Sequence, residues 1–147
     1  MTTRPLSSPP WLRWAHLLVF VAFFTAWTIA LLSPVPKESA KEILGDEDNI
    51  FYFGKLLHVA AYAWLAVLGG TIWLMRTRWS WIVVLLIVHG ELTEYFQQFV
   101  GRTSSVRDTL LDSTGVLIGA LLVRFWWRFK SSKSSLDSAT PSTASPA

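Results

Sequence analysis

Ionisable and amide side chains recur at helical spacing in three apolar stretches of this chain. Lys55 and His58 fall in one, Glu91, Glu94 and Gln98 in the next, and Asp108 and Asp112 in the last. Arg102 and Arg107 stand in the linker between the second and third of these. On a helix, Glu91, Glu94 and Gln98 (i, i+3, i+7) share a face, as do Asp108 and Asp112 (i, i+4), and Lys55, His58 and Tyr62. These residue types support three kinds of role. Arg102, Arg107 and Lys55 can hold a phosphate or carboxylate through charge-assisted hydrogen bonds. Glu94 with Glu91 or Asp108 can form an acid/base pair, and His58 can serve as a base or nucleophile activated by a carboxylate. Alternatively, the positive Lys55, Arg102 and Arg107 cancel the negative Glu91, Glu94, Asp108 and Asp112 in an ion-paired network that locks helices together. A metal site drawn from His58, Glu91, Glu94 and Asp108 would lack the H-E-x-x-H spacing, and the chain has no P-loop, dinucleotide fingerprint or G-x-S-x-G. Neither a metal nor a cofactor is expected.

The elements that must position these groups are membrane helices. Of the 147 residues, 52% are hydrophobic and only 16% charged, too apolar for an ordinary soluble domain. Four apolar runs carry the excess, at about 11–33, 56–75, 79–99 and 109–127. Each approaches the ~20 residues needed to cross a bilayer at 1.5 Å rise per residue. The expected fold is all-α, a bundle of four transmembrane helices. A charge at hydrocarbon depth costs roughly 2.5–3.5 kcal/mol on insertion scales, so the three polar faces should turn inward together.

Charge placement predicts an orientation. Arg4, Arg13, Arg76, Arg78, Arg124, Arg128, Lys130 and Lys133 fall in the N-terminal segment, the turn after the second run and the C-terminal end. These regions share one side of a four-span topology, which the positive-inside bias makes cytoplasmic, with both termini. Trp11, Trp14, Trp73, Trp79, Trp81, Trp126 and Trp127 gather at the same side, as interfacial tryptophans do. The polar residues then lie in the outer half of the membrane. Arg102 and Arg107 depart from the bias, and pairing with the carboxylates accounts for them. The net charge of +3 is distributed by topology and implies no nucleic-acid partner.

The remaining segments are plainer. Residues 1–10 read as a disordered cytoplasmic lead, and the first run as an uncleaved anchor, since Pro34-Val35-Pro36 stops a helix and no A-x-A-like site follows. Residues 34–54 read as a solvated acidic loop, in which 39–44 form a helical turn or two. Gly115 and Gly119, like the alanines of the second run and Gly69-Gly70, read as close helix packing. His16 reads as an interfacial residue and His89 as a hydrogen-bonded packing residue. The membrane domain is expected over 11–128. Residues 129–147, almost all Ser, Thr, Ala and Pro, read as a disordered tail. With no cysteine, disulfides and thiolate metal sites are unavailable.

Gly54-Lys55-Leu56-Leu57-His58 with Ala61-Tyr62, the run Glu91-Leu92-Thr93-Glu94-Tyr95-Phe96-Gln97-Gln98-Phe99-Val100-Gly101-Arg102, then Asp108 and Asp112-Ser113-Thr114-Gly115 with Gly119, resemble the VanZ-like family. The likeness spans roughly residues 50–122. It implies a four-helix protein of the bacterial cytoplasmic membrane, and low-level resistance to the glycopeptide teicoplanin is known for the family's founding member. The lipid partner this suggests is a cell-envelope lipid or lipid-linked precursor. Its headgroup would be received by Lys55, His58, Glu91, Glu94, Gln98, Arg102, Arg107, Asp108 and Asp112. Many relatives carry Asp where this chain has Gly54, and Asn where it has Asp112. The first change removes a potential partner of Lys55, and the second adds a carboxylate. Binding, an ion-paired scaffold, an acid/base enzyme and a proton- or ion-coupled transporter all remain open at this point, and no oligomeric state is implied.

Overall fold

Pro10 lies in the first turn of α1 (Pro10–Leu31), where its missing N–H would have had no intrahelical acceptor. The computed structural model describes residues 9–34, 41–43, 45–72, 78–101 and 106–139. A helical turn at 41–43 precedes α2 (Glu47–Thr71). Asp46 caps α2 by accepting the Glu47 backbone N–H, and Glu47 and Asp48 set negative charge against the positive end of the helix dipole. Helix α3 (Trp79–Gln97) tightens into a 3-10 turn at Gln98–Val100 and stops at Gly101, whose φ of 73° is one that a side chain would resist. The last helix, α4, runs from Val106 to Ala139. No strand occurs among the described residues.

Among the described residues, three segments are long and apolar enough to cross a membrane: Trp11–Leu31, Glu47–Thr71 and Val106–Ser132. At 19 residues α3 has the length, but His89, Glu91 and Glu94 dilute its apolar character. Two helix limits differ from the sequence expectation. Helix α2 begins at Glu47 instead of near 56, because the Asp46 cap and an acidic first turn let it start in the loop. Helix α4 continues to Ala139, through 129–139, a stretch expected to be disordered. Once a helix is nucleated each added residue gains a hydrogen bond, and no proline falls between the start of α4 and Pro141.

Helix α2 is the centre of the bundle. Its buried residues (His58, Ala61, Tyr62, Leu65, Ala66, Leu68, Gly69, Gly70) spread over most of its circumference, so it is covered on several sides. Helices α1 and α3 pack antiparallel to it. Phe20, Trp27 and Leu31 of α1 join Leu65, Ala66 and Leu68 of α2 and Ile82 and Leu86 of α3 in the core.

Helix α4 runs parallel to α2 in the most extensive contact of the fold. The closeness has a simple source. A Cβ on Gly115 would collide with the Val59 carbonyl, and one on Gly119 with the Ala63 carbonyl, with Ala66 Cβ only 2.7 Å away. Small residues thus let two backbones touch, as the G-x-x-x-G spacing implied. The parallel register carries residues 108 and 112 of α4 to the level of 55 and 58 of α2.

Candidate functional site

The site grows out of that register. Beyond the glycine contact, the face of α4 that meets α2 carries Asp112 and then Asp108, one helical turn apart. The face of α2 carries His58 and Lys55 at the matching heights. His58 Nδ1 and Asp112 Oδ1 are 2.8 Å apart, with both side chains almost wholly buried. Lys55 Nζ pairs with Asp108 Oδ1 nearer the end of the bundle. Two interhelical pairs therefore stand in tandem, and Lys55 has its partner on α4 although Gly54 supplies none. The Trp27 indole packs from α1 in T-shaped contacts with the His58 and Tyr62 rings.

One turn deeper, Tyr62 starts a second set of bonds. Its hydroxyl lies 3.0 Å from His89 Nδ1 and 3.4 Å from Thr93 Oγ1. His89 Nε2 is 2.9 Å from Thr28 Oγ1 on α1, and Thr28 donates its one hydroxyl proton to the Phe24 carbonyl at 2.8 Å. Counting protons assigns the neutral His89 ring as the Nε2–H tautomer, donating to Thr28 and accepting from Tyr62. The three helices α1, α2 and α3 are joined by this chain. His89 is thus a hydrogen-bonded packing residue, its ring also against Phe24 at 4.4 Å between centroids. Tyr62→Phe keeps the ring but removes the donor to His89 Nδ1. It is expected to cost about 1–2 kcal/mol, seen as a lower melting temperature of the protein in mild detergent. An unchanged melting temperature would mean that the bond contributes nothing.

Helix α3 meets the site differently from the sequence expectation. Its buried stripe is Ile82, Leu86, Gly90, Thr93 and Gln97, with Glu94 at its edge. Glu91 and Gln98 are exposed, and Gln98 donates to its own Tyr95 carbonyl at 2.6 Å. The spacing of Glu91, Glu94 and Gln98 does define a face, but the helix is rotated so that this face only borders the interior. The reason is packing: Gly90 lies on the side of α3 that meets Asp112 of α4. A Cβ there would lie 3.2 Å from Asp112 Cβ, 3.3 Å from Asp112 Oδ2 and 3.5 Å from the Tyr62 hydroxyl. Glu91 and Glu94 consequently sit in different surroundings, one exposed and one buried.

Sequence reasoning placed Gln97 in the polar set but missed Thr93, Trp27 and Thr28 as members of the polar layer. The 4-4-3-4 spacing from Ile82 through Gln97 is the signal that would have found Thr93. Asp112 Oδ2 and Gln97 Nε2 are buried and have no hydrogen-bond partner among the described residues. Arg107 is exposed at the start of α4, and Arg102 lies outside the described residues. His58, Glu91, Glu94 and Asp108 do not come together as a metal-ligand set among the described residues. At the other end of the bundle, His16 Nε2 is 3.3 Å from Thr71 Oγ1, an α1–α2 contact remote from the site.

Long apolar helices with a polar layer enclosed between them define a helical membrane protein. A family model described as VanZ/LLP1 matches residues 2–127, which takes in α1 to α3 and most of α4, and the chain belongs to that family. No curated protein and no solved structure matches it.

Proposed function

We propose that this protein resides in the bacterial cytoplasmic membrane with α3 as a fourth span and both termini cytoplasmic. In that setting its polar end lies in the outer half of the bilayer and receives the anionic headgroup of a cell-envelope lipid or lipid-linked precursor. One observation carries the reading. Polar side chains of α2, α3 and α4 meet at one end of the bundle, and Lys55, with its side chain 23% exposed, stands at the rim of the buried layer. A cation at that height faces the phosphates of the outer leaflet, and Arg107, exposed at the start of α4 next to Asp108, the partner of Lys55, adds a second positive charge. Altering how such a lipid is displayed would reduce the access of a lipophilic glycopeptide, which connects the site to teicoplanin resistance.

The test is native mass spectrometry of wild-type and Arg102→Ala protein released gently from membranes at matched folded yield. Wild type should carry a discrete anionic lipid, and Arg102→Ala should retain it about tenfold less, the ~1.4 kcal/mol of one charge-assisted contact. Equal retention would sink the headgroup reading. A second reading has its own support: Lys55–Asp108 and His58–Asp112 satisfy each other across α2 and α4, so the network serves as a clasp.

A further inference from the structure

Along the α2–α4 seam, from the level of Ala60 toward the end opposite the polar pairs, an apolar groove of about 320 Å³ opens between the two helices. Ala60, Ala63 and Val67 of α2 and Leu122, Val123 and Trp126 of α4 are among the residues that line it. The groove exists for the same reason as the polar clasp. Small residues bring the backbones together, so two cylinders in contact leave a furrow that no side chain among the described residues fills. Ala60, Leu122 and Trp126 are exposed, and in a membrane-spanning pair of helices such residues face lipid.

The occupant is indicated by what stands at the end of the furrow. Lys130 follows Trp126 by one helical turn, and so continues the Leu122–Trp126 row of α4. It is exposed and forms no ion pair among the described residues. A tryptophan at the interface with a lysine one turn beyond it places a cation at headgroup height. We propose that this furrow is a lipid site. It holds one acyl chain of an anionic phospholipid from the leaflet on the side where α2 ends, and Lys130 binds the phosphate. The site is distinct from the polar end and does not depend on what that end does. A zwitterionic lipid would fill the furrow equally well but gain less from Lys130, so charge sets the preference.

The experiment uses the full chain in nanodiscs of equal parts phosphatidylglycerol and phosphatidylcholine, released gently into a mass spectrometer. Wild type should retain one phosphatidylglycerol with about a fivefold preference over phosphatidylcholine, the effect of one lysine near an anionic headgroup. Lys130→Glu should keep a bound lipid and lose the preference. Ala60→Phe, a change at a lipid-facing position that fills the furrow, should lose the lipid with helicity by circular dichroism unchanged. A preference that survives Lys130→Glu, or a lipid count that survives Ala60→Phe, overturns the proposal. So does a dimer abolished by Ala60→Phe, since the occupant would then be a second copy of the chain. A lipid lost in Arg102→Ala but kept in both of these variants belongs to the polar end and counts against the furrow.

Discussion

Gly119→Leu is expected to separate α2 from α4 and remove most of the folded protein. Even a single added carbon at this position collides with the Ala63 carbonyl, which is backbone and cannot rotate away. Overpacking inside well-packed cores costs typically 1–3 kcal/mol, and a leucine driven against a backbone should exceed about 3 kcal/mol. The damage should also reach the polar layer, because the register that brings Asp112 to His58 depends on the same contact. Folded fraction against increasing denaturing detergent measures the loss. Gly54→Ala is the control: nothing lies within 4 Å of a Cβ there, so it should be neutral or gain up to about 1 kcal/mol in helix propensity. Equal behaviour of the two variants would mean that the close approach contributes nothing to stability.

Asp112→Ala should be nearly as damaging. Asp112 is 2% exposed and its Oδ1 pairs with His58 Nδ1, so its removal leaves a buried imidazole without its acceptor. Removing one partner of a buried charged pair costs about 3–5 kcal/mol, and one partner of a neutral hydrogen bond about 1–3. A loss near 3 kcal/mol is therefore expected. Asp112→Asn retains a side-chain oxygen that can accept from His58 and should lose less than half as much. The double variant with His58→Ala separates the pair from its surroundings. If the two side chains act as a unit, the double variant should fall short of the sum of the single losses by about 1–3 kcal/mol. Strict additivity would show that they stabilise the bundle separately.

Much of this arrangement is legible in the sequence, and the illegible part has definite causes. The long apolar runs, the shared face of Lys55, His58 and Tyr62, and the close packing at Gly115 and Gly119 all follow from spacing along one helix. Such patterns are local and need no knowledge of a neighbour. The rotation of α3 is not local. Glu91, Glu94 and Gln98 are three polar residues on a helical face, and hydropathy alone turns that face inward. What decides the matter is which side of α3 packs against α2 and α4, and Gly90, beside Asp112 and Tyr62, lies on it. A glycine's contribution is the room it leaves, so it is silent in any reading that weighs only side chains. Thr28 was missed for a related reason: threonine in a membrane helix usually bonds to its own backbone, as Thr28 does with Phe24, and only the fold adds His89. The extension of α4 to Ala139 reflects propagation from an established helix, which the composition of 129–139 does not reveal by itself.

The parallel pairing of α2 with α4 also sets an order of assembly. The partner of His58 is 54 residues further along the chain, and that of Lys55 is 53. During synthesis α2 and α3 are complete before either aspartate exists. Their polar side chains must then be held provisionally, by water, by headgroups or by the insertion machinery. Arrival of α4 ends this waiting state, because one helix supplies both carboxylates together with the glycines that let it seat. The last helix made is therefore the latch, and a nascent chain lacking it has no way to close.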